Sequence, residues 1–270
     1  MAPRYAVIHK EPGETPLQAV EKWRLENPAY ASLLASYAGR LDPMASGKLL
    51  VLLGDECKKQ ESYTGLDKEY AIEIVLDLAT DTGDALGIPS YDTTETHPER
   101  ARVREAFTTV LGTHRVPYPA FSSKTVGGKS LFMYALEGTL DTIRMPEHDE
   151  TVYRIRLLKT RTYSPADLLE RITVALRDVP RSDEASKALG ADFRQDVIRA
   201  GWRVLFEHMP EREFTVLKLR VACGSGTYMR TLAARIAKEL GTHGFALSIK
   251  RTKIGTYAKL GPFRLWTRSF

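Results

Sequence analysis

The sequence predicts an α+β fold built on a mixed, largely antiparallel sheet flanked by helices. Three observations carry this. Strand-like segments recur at 5–8, 49–53, 69–76, 153–158, 214–223 and 245–254, and helix-like segments fall between them irregularly. A doubly wound parallel fold would instead need a helix after nearly every strand. Residues 69–76 place Tyr70, Ile72, Ile74 and Leu76 at a period of two, the mark of a strand with one face on a core. Farther on, Met229, Leu232, Ala233, Ile236 and Leu240 follow helical spacing.

In chain order, Tyr5-Ala6-Val7-Ile8 is a short apolar run suited to a buried strand. Thr15-Pro16-Leu17-Gln18 starts a helix: Thr15 caps it, Pro16 suits its first position, and Gln18 completes a capping box. Leu17, Val20 and Trp23 give that helix a stripe to about Asn27, and Pro28 ends it. Ala31-Ser32-Leu33-Leu34-Ala35 predicts a short second helix, and Leu49-Leu50-Val51-Leu52-Leu53 a buried strand closed by Gly54. Residues 80–96 form a loop rich in Asp, Thr and Gly. Pro98 opens a helix with Val103, Phe107, Val110 and Leu111 on one side, closed by Gly112. Residues 114–140 hold a Gly127-Gly128 turn and a helix over about 130–137. Residues 164–207 read as a helical insertion: Ser164-Pro165 starts it, Leu168, Leu169, Ile172 and Leu176 form a stripe, Pro180 breaks it, and a second helix runs over 183–199. Thr227 then opens the helix that Gly241 closes.

A chain of 270 residues can bury a large core, and one domain over 1–270 is expected. Two cysteines far apart, Cys57 and Cys223, form neither a disulfide framework nor a zinc pattern and suit a reducing compartment. No apolar run has the length of a signal peptide core or a membrane span, so a cytoplasmic protein is expected. The net charge of +5 is lopsided: residues 211–270 carry twelve Lys/Arg against three Asp/Glu. A basic segment on a near-neutral body fits a polyanionic partner, or a solvated basic face.

The chemistry centres on Tyr37-Ala38-Gly39-Arg40-Leu41-Asp42-Pro43-Met44-Ala45-Ser46-Gly47. Pro43 biases Asp42 away from helical angles, and the flanking glycines permit turns, so Asp42 reads as a loop carboxylate at the lip of a buried strand. Arg230 falls in the first turn of a helix opened at Thr227, where the helix dipole disfavours a cation by about 0.3–1 kcal/mol. A carboxylate is the natural compensation, and an arginine reaching solvent the plain alternative.

Further pieces follow in order: Lys68-Glu69-Tyr70, Thr80-Asp81-Thr82-Gly83-Asp84, Gly226-Thr227-Tyr228-Met229-Arg230-Thr231-Leu232 and Arg251-Thr252-Lys253-Ile254-Gly255. Each is weak alone, but their joint order resembles the TruB-type tRNA pseudouridine synthases. The resemblance covers roughly residues 5–140 and 214–257. It implies the pseudouridine-synthase-like fold, and a catalytic domain without the C-terminal RNA-binding (PUA) domain that many relatives carry.

The resemblance implies that Asp42 is the catalytic carboxylate, as nucleophile or as base. Arg230 would pair with and aim it, Asp84 would be a second acceptor for the same guanidinium, and Tyr70 would stack on the flipped uracil. Ile249 aligns with an apolar position under the base, and Lys68 could reach phosphate or solvent. Lys10, in Lys10-Glu11-Pro12-Gly13-Glu14-Thr15, matches a supporting position of the family start. Tyr37 stands where the family usually has a histidine that meets the RNA loop. Arg40 is more typical of the ribosomal-RNA branches, and Leu136 occupies a usual arginine position. The expected reaction isomerises a uridine to pseudouridine, by resemblance the T-loop uridine at tRNA position 55. No cofactor or metal is expected. The expected partner is the T-arm of tRNA, and the expected state a monomer. Two alternatives remain: another RNA, either a different tRNA site or ribosomal RNA, and a non-catalytic tRNA-binding or folding protein.

Overall fold

The computed structural model describes residues 3–91, 95–177, 179, 194–261 and 263–270. The strands are β1 (Tyr5–Lys10), β2 (Ala35–Ala38), β3 (Ala45–Leu53), β4 (Asp67–Leu76), β5 (Leu78–Thr80), β6 (Pro89–Tyr91), β7 (Gly112–Pro117), β8 (Thr125–Val126), β9 (Lys129–Ser130), β10 (Glu147–Tyr163), β11 (Phe214–Cys223), β12 (Gly244–Leu260) and β13 (Phe263–Ser269). The α-helices are α1 (Pro16–Glu26), α2 (Gln60–Thr64), α3 (Arg100–Val110), α4 (Leu131–Leu136), α5 (Pro165–Arg177), α6 (Gln195–Glu207) and α7 (Met229–Glu239).

Among the described residues a nine-stranded sheet runs β1-β3-β12-β4-β11-β10-β7, with β2 added to β3 and β13 to β12. Its neighbours are antiparallel except β3 and β12, which run parallel through Ile249↔Ala45, Lys250↔Ser46 and Arg251↔Gly47. The architecture is therefore the mixed, mostly antiparallel α+β fold that the sequence predicts.

The alternation in β4 sorts the core. Tyr70, Ile72, Ile74 and Leu76 lie in one apolar cluster with Val103 and Phe107 of α3 and Leu232 and Ile236 of α7. Val75 points the other way, into a second cluster with Leu168 and Ile172 of α5 and Ile198, Trp202 and Phe206 of α6. Helices thus cover both faces of the sheet centre. Burying each large apolar side chain contributes about 1.5–3 kcal/mol, so the spacing of Ile198, Trp202 and Phe206 fastens α6 to the sheet. The Trp202 indole N–H also donates to Ala85 O at 3.0 Å, and Met44 of the aspartate loop packs in the same cluster.

The Thr15 capping box forms in both directions: Gln18 N donates to Thr15 Oγ1 at 3.2 Å and Thr15 N to Gln18 Oε1 at 2.8 Å. Several other expectations need correction. β1 is an edge strand whose Tyr5 and Val7 are exposed, and Leu17 on α1 is exposed rather than packed. Residues 31–35 form no α-helix: a 3-10 turn at Pro28–Tyr30 leads into β2, because Tyr37 and Ala38 complete a pairing with Val51 and Leu50 that local propensity does not reveal. The loop at 80–96 carries the β5–β6 hairpin, its residues 92–94 lying outside the described set. Pro180 and residues 183–193 of the predicted second insertion helix also lie outside it; from Gln195 the chain is helical and continues to Glu207. Thr227 is not the cap of α7: that position is Tyr228, and Thr227 Oγ1 instead donates to Thr151 O at 3.4 Å.

Candidate active site

Asp42 sits in the loop between β2 and β3. Gly47, at φ +105°, lets β3 pass β12 so closely that a Cβ there would lie 2.2 Å from Arg251 O. Only a residue without a side chain fits. From below, the fully buried Lys10 donates to Pro43 O at 3.2 Å and Ala45 O at 2.6 Å. Lys10 therefore braces the aspartate loop and does not line the cleft described below.

Arg230, the second residue of α7, brings its guanidinium to Asp42 from behind. Its Nε donates to Asp42 Oδ2 at 2.7 Å, one terminal nitrogen to Thr82 O at 2.8 Å and the other to Phe121 O at 3.1 Å. Asp84 Oδ2 lies 3.7 Å from the same Nε. The Arg230 side chain is 5% exposed and that of Asp42 38%. The arrangement is thus a buried cation backing a carboxylate that opens outward. Burial alone would lower the Arg230 pKa, but the two carboxylates outweigh it and raise it. Asp84, accepting from Leu86 N and Thr82 Oγ1, is pushed up to about 6, chiefly by burial and against the pull of Arg230.

Asp42 opens into a cleft of about 560 Å³ that is also lined by Tyr37, Arg40, Lys68, Tyr70, Ile249 and Arg230. Seven of the nine sequence-predicted site residues thus meet there; Lys10 and Asp84 lie beneath. Tyr70 is nearly buried, and burial raises its phenol pKa. Ile249 belongs both to the cleft wall and to the main core. Lys68 does not reach solvent as a phosphate arm would: it is 5% exposed and donates to Thr64 O at 2.6 Å and Ser225 Oγ at 3.2 Å. Burial, followed by the neighbouring Arg251, lowers its pKa to about 8. Arg40 is exposed at the cleft. Among the described residues no three His, Cys, Asp or Glu side chains group as a metal site would require.

The profile of the TruB family pseudouridylate synthase N-terminal domain matches residues 31–175, more than half of the chain. The chain belongs to this family. TruB-family relatives include the tRNA pseudouridine synthase B of Psychrobacter cryohalolentis, 27% identical over 93% of this chain and 55% of that protein. That of Geobacillus thermodenitrificans is 28% identical over 82% and 58%. The chain spans little more than half the length of these curated relatives. In fold it is similar to a chain of the crystal structure of a Cbf5-Nop10-Gar1 complex, with TM-score 0.53 and 16% identity over 93% of this chain and 49% of that one.

Arg251 is a residue of this TruB-family site that sequence reasoning left without a role. It is 1% exposed, lines the cleft, and donates to Lys48 O at 2.7 Å, Gly39 O at 3.2 Å and Arg40 O at 3.4 Å. A buried guanidinium must find several acceptors, and here the aspartate loop supplies two and Lys48 of β3 the third. The signal was present in the Arg251-Thr252-Lys253-Ile254-Gly255 motif, whose pairing with a loop some two hundred residues earlier is visible only in three dimensions.

Proposed function

We propose that the protein isomerises uridine to pseudouridine in tRNA, with the T-loop uridine at position 55 as substrate. The observation that carries this is Asp42: a carboxylate open to a cleft that Tyr70 also lines, and backed by the buried Arg230. The reaction breaks the bond between C1′ and uracil N1, turns the base, and joins C1′ to C5. The proton leaving C5 is balanced by one gained at N1, and neither water nor redox partner is consumed. Asp42 acts at the sugar, either attacking C1′ or removing a sugar proton. A single carboxylate suffices because no water need be activated, unlike the carboxylate pair of glycosidases. The Tyr70 ring replaces stacking that the uracil loses on leaving the RNA. The exposed basic residues of 211–270 and Arg40 at the cleft supply phosphate contacts on the T-arm.

The test is incubation with an unmodified tRNA transcript and mapping of pseudouridine by position. Wild type is expected to modify position 55. Asp42→Asn, which keeps an acceptor for Arg230, is expected to bind the RNA and make no product. An active Asp42→Asn rejects the mechanism. Product only at another uridine, or only in a ribosomal RNA fragment, moves the substrate, the reading that Arg40 favours.

A further inference from the structure

We infer that Arg194 is a positioning residue for the Asp42–Arg230 pair, tying α6 into the reaction centre; this rests on the isomerase reading above. Two of the acceptors holding the Arg230 guanidinium are backbone carbonyls, Thr82 O and Phe121 O. They belong to two loops far apart in sequence, so the aim of Arg230 at Asp42 depends on how those loops sit relative to one another.

Arg194 spans both. Its terminal nitrogens donate to the two oxygens of Asp81, at 2.7 and 3.2 Å, beside the Thr82 carbonyl. The face of the same guanidinium lies 4.5 Å from the centre of the Phe121 ring. Arg194 also lines, with Asp42, Asp84 and Arg230, a small pocket beside the main cleft. A two-pronged bond to a carboxylate fixes a guanidinium in plane and direction, and an aromatic face gives it a second seat.

The backbone of Arg194 supports a specific role. Its φ of +55° is left-handed, a conformation that a residue with a Cβ adopts sparingly. Such strain persists where surrounding contacts enforce it. Farther along α6, Trp202 anchors the helix to Ala85 of the same loop as Asp81. The loop of residues 80–86 is thus held at two points, and Arg194 is the one that also grips Phe121. Lysine cannot replace it, since a point charge neither bridges both carboxylate oxygens in plane nor stacks.

The experiment compares wild type, Arg194→Gln, Arg194→Lys and Asp81→Asn in the full chain on unmodified tRNA transcript. It reads the single-turnover rate at saturating RNA, the Kd for RNA, and the solvent exchange of the Arg230 Nε–H by NMR, assigned with Arg230→Lys. Arg194→Gln is expected to slow the rate by about tenfold or more, as small misplacements of reacting groups do, with Kd changed less than about threefold and Nε–H exchange accelerated. Arg194→Lys should recover little of the rate. The double variant Asp81→Asn/Arg194→Gln should be no slower than the worse single one, since both break one contact. A wild-type rate in folded Arg194→Gln, or a change confined to Kd, overturns the inference. If wild type makes no pseudouridine in any RNA, the isomerase reading fails. The exchange measurement still decides about Arg194 in that case: acceleration supports the positioning of Arg230, and no change overturns it.

Discussion

Replacing Arg230 by methionine tests whether the buried cation, rather than packing, holds the centre together. Methionine fills much of the volume but leaves Asp84, whose side chain is 7% exposed, without its compensating charge. Removing one partner of a buried pair costs about 3–5 kcal/mol. The Asp42 contact adds little to this, because that carboxylate is partly in water. A loss of this size is a large share of the roughly 5–15 kcal/mol that holds a protein folded. The pH dependence is the discriminating part. Asp84 is at about 6 with Arg230 lowering it, so its pKa rises further without Arg230. The folded variant then binds a proton that the unfolded chain, with an ordinary aspartate pKa of 3.8, has already released. Stability of the variant therefore falls as pH rises from about 4 through the raised value, and the deficit against wild type should grow from pH 5, where the lost donors to Thr82 O and Phe121 O already count, to pH 8. Urea unfolding of both proteins at the two pH values measures it, and Arg230→Met/Asp84→Asn should remove the pH-dependent part of the loss. A deficit independent of pH, with no recovery in the double variant, refutes the reasoning.

Tyr70→Phe should keep most of the isomerisation rate, whereas Tyr70→Leu should lose about 1–3 kcal/mol of stacking, read as a drop in single-turnover rate on tRNA. Gly47→Ala forces a side chain into Arg251 O at a backbone angle that already strains it, and should cost at least the ~1–3 kcal/mol of strain alone, measured by chemical denaturation. Lys10→Met takes away the side-chain donor of Ala45 O and one of the two donors of Pro43 O, which Gly13 N still serves. It should cost roughly 1–3 kcal/mol and lower the turnover rate more than RNA affinity, since the loop it braces carries Asp42.

The fold was most legible where one physical rule acted alone. The two-residue period of β4, the capping box of α1 and the helical spacing of α7 each needed only local information, and each matches the structure. Residues 31–35 misled because leucine and alanine favour helix while the pairing of β2 with β3 decides the outcome. β1 has an apolar sequence, yet as an edge strand it leaves Tyr5 and Val7 in water. At the site, the meeting of Asp42 with Arg230 was implied by the family resemblance, since a cation in the first turn of a helix left an arginine reaching solvent equally open. Lys68 was harder to read, because a lysine reads as a surface residue until neighbouring acceptors are seen to enclose it. Arg194 gave no local sign, and the motif that holds Arg251 did not show its partner, since each acts on loops remote from it in sequence.

The parallel pairing of β3 with β12 has a consequence for how the protein comes into being. The strand that follows Asp42 takes one neighbour from residues 249–251, while its own residues are 45–47. On a ribosome the first is made long before the second emerges. The early strands must wait, with an edge uncovered, and contacts this far apart in sequence slow folding. A nascent chain would therefore hold every atom of the Asp42 loop yet lack the strand and the Arg251 side chain that hold it until translation has passed β12.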